Sequence, residues 1–262
     1  MLEKICQIAQ EAGRLILNHY DGDMQVEHKA DESPLTIADR ASHEHIAREL
    51  ALHFPHIPVI SEESEPPEFF TRAKFKEFWI VDPLDGTKEF IKKNGEFTVN
   101  IALIRDKRPV LGVVDVPIRK HTYMAEKGKG AFFQSDGGAL SPIRSNGESD
   151  RPLKIAVSRS HPSPQLLNLF ESLDSPEQIP LGSSLKFCLL AAGEIDLYPR
   201  FGPTMEWDTA AAQAVVEESG GVMLGMNGSP FMYNKPVLLN EGFLVARSAQ
   251  LAKQVLGIIN QG

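Results

Sequence analysis

The sequence feature that most restricts the fold of this chain is an apolar run that leads directly into two aspartates. Residues 78–81 are four consecutive apolar residues, which predict a short strand buried on both faces. The chain then continues with Asp82-Pro83-Leu84-Asp85-Gly86-Thr87. Pro83 and Gly86 predict a tight turn, so we expect the strand to end at Asp82 and to present Asp82 and Asp85 at its C-terminal end.

These two carboxylates, three residues apart, form a donor set for a hard cation. Mg²⁺ prefers carboxylate and carbonyl oxygens, so Asp82, Asp85 and the Leu84 carbonyl between them predict a metal site. Gly86 and Thr87 are predicted to begin a helix, whose free N–H groups can bind phosphate. The alternative is a plain turn in which Asp85 caps the helix and Asp82 is solvated.

Further acidic residues occur in comparable settings along the chain. Glu62 and Glu63 follow a short apolar run, and because adjacent side chains point in different directions, at most one of them faces a shared site. Asp208 is predicted to open an Ala-rich helix, and Asp39 has capping-box spacing from Thr36. The alternative is that both aspartates are only helix caps and the glutamates belong to a solvated loop.

The charge balance limits the classes of function. The 262 residues include 27 Lys or Arg and 35 Asp or Glu, which gives a formal charge of −8. Nucleic-acid binding is disfavoured, because it needs clustered cations to neutralise phosphates. A small anionic substrate would need a positive field from another source, and a metal ion held by the acids would supply it.

Neither the cysteine content nor the first residues indicate export. Cys6 and Cys188 are too few for a disulfide framework, and the N-terminus has neither a basic nor an apolar leader segment. No apolar run approaches the roughly 18 residues of a membrane span. We therefore expect a cytoplasmic protein without a transmembrane segment. Peripheral association with the cytoplasmic face of the inner membrane stays open, as does the choice between monomer and homodimer.

The apolar spacing predicts an α+β half followed by an α/β half. Apolar residues from Leu2 to Ile16 predict a first helix that ends near residues 20–22, and further apolar runs predict a hairpin of strands at 98–104 and 110–116. The segment 135–152 is rich in Ser, Gly, Asp and Pro and is the best candidate for a boundary. The predicted domains are therefore an N-terminal half with most of the acids, 1–145, and a C-terminal half, 146–262.

Two predicted helices carry candidate site residues. One begins after Thr36, with Ala47, Leu50 and Ala51 on its predicted buried face. The other is predicted over residues 207–219, where its small side chains allow close packing against a neighbour.

In their order, these motifs resemble the inositol monophosphatase superfamily, a group of metal-dependent, lithium-sensitive phosphatases. The resemblance rests on Glu62-Glu63, on residues 82–87 and on Trp207-Asp208 before the Ala-rich helix, and it extends to about Gly221. It implies a layered α/β/α/β/α sandwich. Further segments resemble the 3′(2′),5′-bisphosphate nucleotidase branch, at residues 88–91, 94–100, 158–161, 182–188 and 198–204.

The resemblance implies a role for each candidate residue. The implied ligands of two to three Mg²⁺ ions are Glu62, Asp82, the Leu84 carbonyl, Asp85 and Asp208. Asp39 is implied to activate water or to help hold a weaker ion, with Thr87 as its partner and Glu62 as a further catalytic residue. The implied substrate contacts are Glu62, Leu84, Asp85, Gly86, Thr87, Ser158, His161, Gly182, Lys186, Arg200 and Asp208.

The activity that the resemblance implies is hydrolysis of the 3′-phosphate of 3′-phosphoadenosine 5′-phosphate (PAP), a step linked to sulfur assimilation. The 5′-phosphosulfate of the same nucleotide (PAPS) is a second candidate substrate. Five carboxylates without a nucleophilic Cys or Ser motif favour direct attack by metal-activated water. The alternatives are a phosphatase of the same superfamily that acts on inositol phosphates or fructose bisphosphate, and a catalytically silent regulator that binds anions or metals.

Overall fold

The computed structural model describes residues 1–21, 26–28, 34–145, 152–159 and 164–260. The helices in these ranges are α1 Leu2–Leu17, α2 Ile37–His53, α3 Phe69–Arg72, α4 Thr87–Ile91, α5 Pro164–Glu171, α6 Leu185–Ala191, α7 Ala210–Glu218 and α8 Ala249–Ile259. A short 3-10 turn covers Pro117–Arg119. None of the helices in the described ranges is long and apolar enough to cross a bilayer.

The strands fall into two large sheets and two short pairs. Those of the large sheet are β3 Val59–Ser61, β4 Glu77–Asp85, β5 Thr98–Arg105, β6 Arg108–Val116, β7 His121–Glu126, β8 Gly130–Ser135 and β9 Ser141–Ile143. Those of the second sheet are β10 Lys154–Ser158, β11 Glu177–Leu181, β12 Leu197–Arg200, β14 Val222–Gly225 and β16 Phe243–Ala246. The short pairs are β1 Val26–His28 with β2 Pro34–Thr36, and β13 Thr204–Met205 with β15 Leu239–Asn240.

The elements pack in five layers that alternate between helices and sheets. Helices α1 and α2 cover one face of the large sheet, whose strand order is β3-β4-β5-β6-β7-β8-β9. Helices α6 and α7 separate it from the second sheet, whose order is β11-β10-β12-β16-β14. Helix α8 packs on the outer face of that second sheet. This arrangement confirms the predicted α/β/α/β/α sandwich.

The large sheet is built almost entirely from neighbouring segments of the chain. Its first pair, β3 and β4, is parallel, and every later pair is antiparallel. The predicted hairpin is confirmed as β5 and β6, which are joined by a turn with positive φ at Asp106 and Lys107. The parallel β3–β4 pair matters for function, because it places the C-terminal ends of both strands at the same edge of the sheet.

The core is shared between the two predicted halves. Phe78 of the large sheet, Val215 of α7 and Val245 of the second sheet belong to one buried apolar cluster. The large sheet uses residues 59–143 and the second sheet uses residues 154–246. The division into 1–145 and 146–262 stays a prediction, and the two parts bury a common interior.

The predicted buried face of α2 was partly wrong. Leu50 is buried as predicted, but Ala51 is exposed and Ala47 is only half-buried. The buried face instead includes the polar residues Asp39 and Ser42. Because some side chains on the buried face of α2 are polar, the spacing of apolar residues does not identify that face.

Candidate active site

The two aspartates of the motif both lie on β4, which is longer than predicted. Asp82 is paired with Asn100 of β5 and Asp85 with Thr98, and the register shifts between the two pairs. Pro83 has no N–H to donate, so the ladder is interrupted there and the strand bulges before pairing resumes. The prediction that the strand ends at Asp82 was therefore wrong.

The bulge is held by its own backbone and by α2. Ser42 Oγ donates to the Pro83 carbonyl at 2.7 Å, and the Leu84 N–H donates to Asp82 Oδ1 at 3.1 Å. Gly86 follows with φ of +90°, a conformation that L side chains rarely adopt. These contacts fix the backbone that carries both aspartates and the Leu84 carbonyl.

One oxygen of Asp85 is held by the start of α6. Asp85 Oδ2 accepts the Ser184 N–H at 2.6 Å and the Ser184 hydroxyl at 2.7 Å. Burial raises the pKa of Asp85, and the hydrogen bonds from Ser184 and the charge of Lys186 oppose that rise. Oδ1 accepts no hydrogen bond from the residues that the structure describes, so the carboxylate is oriented by the protein and has one oxygen for a ligand.

Glu62 reaches the same edge of the sheet from the neighbouring strand. It follows β3 directly, and its N–H donates to the Val81 carbonyl of β4 at 3.1 Å. The parallel pairing of Ser61 with Val81 thus sets Glu62 beside Asp82. Of the two adjacent glutamates, Glu62 and not Glu63 lines the cavity described below.

Asp208 precedes α7 and is not its cap. The helix begins at Ala210 rather than at Trp207, and Thr209 occupies the cap position. Asp208 Oδ2 instead accepts the Met205 N–H at 2.8 Å, so the alternative of a simple helix cap was wrong. As with Asp85, Oδ1 accepts no hydrogen bond within the described ranges, which leaves it for a ligand.

The small residues of α7 bring this helix close to the large sheet. A Cβ added at Gly112 of β6 would lie 2.2 Å from the Ala211 carbonyl and 2.8 Å from the Ala214 Cβ. A side chain there would separate strand and helix, because interiors are close-packed. The glycine therefore allows the approach of the helix that follows Asp208.

Four acids lie together here and are called the acidic cluster: Glu62, Asp82, Asp85 and Asp208. Their charges affect the pKa values of Asp82 and Asp208. Burial raises the pKa of Asp82 well above its ordinary value, and Glu62, Asp85 and Asp208 raise it further. Burial and the charge of Asp85 likewise raise the pKa of Asp208 well above its ordinary value. Buried like charges need protons or cations to be stable together. The cluster therefore favours the binding of positive charge.

The donor set fits divalent cations by its chemistry. It consists of buried or half-buried carboxylates together with the Leu84 carbonyl, all hard oxygen donors. No three His, Cys, Asp or Glu side chains in the described ranges are already arranged to hold one ion. The fit therefore rests on the type and proximity of the donors, and ion binding would draw these carboxylates together.

Asp39 combines a structural contact with a contact to the site. Thr36 and Asp39 form a reciprocal capping box at the start of α2, and the Thr36 N–H donates to Asp39 Oδ2 at 2.7 Å. The Thr87 hydroxyl donates to the other oxygen, Oδ1, at 3.2 Å. The capping interpretation of Asp39 is therefore confirmed and its hydrogen bond with Thr87 is present, while its role toward water or a metal ion stays a prediction.

A cavity of about 220 Å³ opens beside the acids. The predicted site residues that line it are Glu62, Asp85, Gly86, Thr87, Ser158, Gly182, Lys186, Arg200 and Asp208. Asp39, Asp82 and Leu84 are buried and are not part of the lining. His161 lies outside the described residues. Lining residues that we did not predict are Lys88, Glu89, Ser183, Phe187, Tyr198, Thr204, Thr209 and Phe243.

Three of the residues that we missed form an aromatic wall. Phe187, Tyr198 and Phe243 pack against one another with ring centroids 5.2 to 5.6 Å apart. Phe187 and Tyr198 lie inside segments that resemble the nucleotidase branch and could have been found there. Phe243 comes from β16, whose pairing with β12 brings it to the cavity, and no local motif marks it.

Lys186 and Arg200 share the cavity with the acids, and the exposed Lys88 also lines it. Burial lowers the pKa of Lys186 to about 8, against the raising effect of Asp85, and Arg200 lowers it further. Lys186 Nζ donates to the Ser183 carbonyl at 2.6 Å and lies 5.2 Å from the centre of the Tyr198 ring. The cavity therefore contains fixed positive charge as well as the acidic cluster.

The fold and this arrangement of acids define a metal-dependent phosphatase class, and the sequence comparison agrees. The profile of the Inositol monophosphatase family matches residues 1–261. The chain therefore belongs to the inositol monophosphatase family. This match confirms the predicted family and an enzyme of the phosphatase class.

Individual relatives narrow the position within the family. The 3′(2′),5′-bisphosphate nucleotidase CysQ of Salmonella typhimurium is 45% identical over 248 residues, which cover 94% of this chain and 99% of that protein. The crystal structure of CysQ from Bacteroides thetaiotaomicron superimposes with a TM-score of 0.80 at 41% identity, covering 92% of this chain and 94% of that one. The protein suhB from Bartonella henselae has a TM-score of 0.82 at 27% identity, with 99% and 98% covered. The two CysQ relatives confirm the resemblance to the bisphosphate nucleotidase branch, and the suhB structure supports the fold.

Proposed function

We propose that this protein is a Mg²⁺-dependent 3′(2′),5′-bisphosphate nucleotidase that hydrolyses the 3′-phosphate of PAP to give AMP and phosphate. The observation that carries the proposal is the cavity in which an acidic cluster meets two fixed cations, Lys186 and Arg200. A metal-bound phosphate suits the acids, and a second phosphate suits the cations. A bisphosphate uses both environments, whereas a monophosphate ester uses one.

The proposed metal ligands are Glu62, Asp82, Asp85 and Asp208 with the Leu84 carbonyl. When bound, two to three Mg²⁺ ions would neutralise phosphate charge and lower the pKa of the attacking water. The chain supports this assignment through Ser184, which holds one oxygen of Asp85, and through the Met205 N–H, which holds one oxygen of Asp208. Asp85 and Asp208 are thus each held through one oxygen before an ion arrives, which lowers the entropic cost of ordering these two side chains.

Asp39 and Thr87 are the proposed proton acceptor and water-orienting residue. The Thr87 hydroxyl donates to Asp39 Oδ1, which leaves the lone pairs of Thr87 Oγ1 directed away from that bond. A water that donates to Thr87 Oγ1 can pass its proton on to Asp39, a carboxylate that is 1% exposed. Glu62, beside the same strand edge, is the proposed second catalytic carboxylate.

The remaining cavity residues hold the nucleotide in this proposal. Lys186 and Arg200 bind the phosphate that is not cleaved, while Ser158 and Gly182 contact the nucleoside. We assign His161 to the base or the ribose. PAPS carries the same 3′-phosphate and an anionic 5′-phosphosulfate in place of the 5′-phosphate, so we include it as a second substrate, in keeping with a cytoplasmic role in sulfur assimilation.

The first experiment compares phosphate release from PAP, PAPS and inositol 1-phosphate, with Mg²⁺ and with EDTA. We expect fast release from PAP that requires Mg²⁺, and slow release from inositol 1-phosphate. A preference for the inositol ester would keep the mechanism and overturn the substrate. Mg²⁺ binding without release from any of them would instead support the silent regulator.

A matched pair of lysine variants tests the role of the cations. Lys186→Met keeps the length of this buried side chain, and we compare PAP with 3′-AMP, which lacks the 5′-phosphate. The ratio of the two kcat/KM values should fall about tenfold or more, because a hydrogen bond to a charged group contributes about 1.5–3 kcal/mol. Lys129→Met, at an exposed position, is the control and should leave the ratio unchanged. An unchanged ratio in Lys186→Met would contradict the two-phosphate proposal.

A further inference from the structure

The segment 231–240, here called the anchor segment, contacts both the N-terminal half and the loop of residues 204–209, which carries Asp208. The Arg108 guanidinium donates to the Phe231 carbonyl at 2.8 Å, and the Tyr233 N–H donates to the Lys107 carbonyl at 3.1 Å. Arg72, which is 4% exposed, donates to Asn234 Oδ1 at 2.8 Å. The anchor segment is therefore fixed to the β5–β6 hairpin and to α3.

On its other side the anchor segment holds Glu206, two residues before Asp208. Glu206 is 0% exposed, and its carboxylate accepts the Asn234 N–H at 2.7 Å, the Lys235 N–H at 3.0 Å and Lys235 Nζ at 2.7 Å. Its own N–H donates to the Leu238 carbonyl at 2.9 Å. All of these partners belong to the anchor segment, so this buried charge is held by that segment.

Asn240 holds the same loop from the end of the anchor segment. Its Nδ2 donates to the Met205 carbonyl at 2.9 Å and to the Thr204 and Thr209 hydroxyls at 3.2 and 3.1 Å. Its Oδ1 accepts Lys235 Nζ at 2.7 Å. The Lys235 ammonium thus contacts both Glu206, which follows Met205 in the loop, and Asn240, which binds the Met205 carbonyl.

Met205 is the direct link to the carboxylate of Asp208. The Met205 N–H is the donor that orients Asp208 Oδ2, and its carbonyl is held by Asn240. Among the described residues, the regular pairing of this loop is limited to the two-residue match of β13 with β15, and β15 contains Asn240 itself. The direction of the Asp208 side chain therefore depends on the contacts that Lys235 and Asn240 make.

We propose that Lys235 and Asn240 are positioning residues for Asp208, which act through Glu206 and Met205 to aim its free oxygen into the acidic cluster. This inference rests on the proposed function, because it takes Asp208 as a metal ligand. Partners that orient a metal ligand typically contribute about 10–100-fold to metal affinity or activity. The role is thus measurable in Mg²⁺ binding as well as in turnover.

A second buried ion pair in the same half is the matched control. Arg247 donates to Asp196, and the two side chains are 7% and 0% exposed. Asp196 also accepts the Lys154 N–H at 2.8 Å, and the Arg247 N–H donates to the Asp196 carbonyl at 3.0 Å, so this pair joins the ends of strands β10, β12 and β16 of the second sheet. Loss of the cation in either pair leaves a buried carboxylate without that counter-charge, and of the two pairs it is the Lys235 pair that lies next to Asp208.

The experiment measures Mg²⁺ affinity by calorimetry, together with Tm, for the wild type and for Lys235→Met, Asn240→Ala, Arg247→Met and Asp208→Asn. We expect the Kd for Mg²⁺ to rise about tenfold or more in Lys235→Met and Asn240→Ala. Arg247→Met should bind Mg²⁺ like the wild type although its Tm falls. Lys235→Arg retains a cation beside Glu206 and should recover most of the affinity.

The outcomes separate positioning from general stability. The inference would be overturned if Lys235→Met and Asn240→Ala bound Mg²⁺ with wild-type affinity. It would also be overturned if Arg247→Met lost Mg²⁺ affinity in the same proportion to its fall in Tm as those two variants. If Lys235→Met does not fold, Asn240→Ala and Lys235→Arg decide by the same measurement. Asp208→Asn tests the proposed function separately, since unchanged Mg²⁺ binding in that variant would remove Asp208 from the metal site.

Discussion

Two groups of buried acids in this protein differ in what neutralises them. Asp196 has Arg247 as its partner, and Glu206 has Lys235, so both charges are balanced by the protein itself. Asp82 and Asp208 instead face further acids, which raise the pKa of both. Burial alone therefore does not distinguish the acids of the candidate site from acids in structural ion pairs. In our proposal it is the acids that lie together, with their charges only partly opposed by Lys186 and Arg200, that bind an external cation.

The largest expected effect comes from removing a charge from the acidic cluster. We predict that Asp82→Asn lowers kcat about 10³-fold, because metal-supplied charge stabilisation is worth several kcal/mol in the transition state. The fold should survive, since the change removes like-charge repulsion at a buried position. Phosphate release from PAP and thermal unfolding in EDTA check both parts. Near-normal turnover at ordinary Mg²⁺ would remove Asp82 from the mechanism.

The same aspartate-to-asparagine substitution at Asp196, an acid paired with a cation of the chain, should lower stability and leave kcat unchanged. Asp196→Asn leaves the buried Arg247 without its counter-charge, and breaking such a pair typically costs about 3 kcal/mol of unfolding free energy or more. Urea unfolding measures that loss. The kcat of the folded fraction should stay at the wild-type value. A variant with normal stability and reduced kcat would show that the two groups of acids are not distinct.

A third environment surrounds Asp115, which within the described residues is influenced by a hydroxyl and by the charge of Arg14 and makes no ion pair. Asp115 of β6 is 4% exposed and accepts the Thr122 hydroxyl at 2.8 Å. A Cβ added at Gly13 of α1 would lie 2.5 Å from Asp115 Oδ2, so the helix packs directly on the carboxylate. Burial raises the pKa of Asp115 to about 7, while the Thr122 hydrogen bond and the charge of Arg14 oppose the rise.

This pKa predicts how stability depends on pH. Because the folded pKa is above the unfolded one, the folded state binds more protons between about pH 4 and 7, and stability falls as pH rises through that window. Asp115→Asn cannot ionise, so it should gain roughly 2 kcal/mol relative to the wild type between pH 5 and pH 8. Urea unfolding at both pH values checks this. An equal difference at both pH values would mean that Asp115 is ionised throughout.

The sequence predicted the parts of the site that are local. Asp82, Asp85 and Glu62 follow apolar runs, and a strand end beside another strand end is enough to bring them together. The fold class followed from the family resemblance of these motifs. The bulge at Pro83 was not predicted, because the resumption of pairing at Asp85 depends on the position of β5 and not on the residues of the motif.

The rest of the site depends on contacts between distant segments. Ser184 holds Asp85 from α6, and Phe243 completes the aromatic wall from β16. Lys235 and Asn240 act on Asp208 from a segment for which the sequence alone suggested no role. No spacing rule relates such residues, because their sequence separation depends on how α6, the β13–β15 pair and the second sheet pack together.

The smallest predicted effect is the thermal stabilisation of the protein by Mg²⁺, which tests the acidic cluster without a measurement of turnover. At ten times its Kd, Mg²⁺ should stabilise the folded protein by about 1.4 kcal/mol, which for a chain of this size is a rise in Tm of roughly 3–5 °C. The rise should be absent in Asp82→Asn and retained in Asp196→Asn, because only the first change removes a donor from the cluster. NaCl at the same ionic strength is the control for screening. An equal shift with NaCl would show that the cluster responds to ionic strength and does not select a divalent cation.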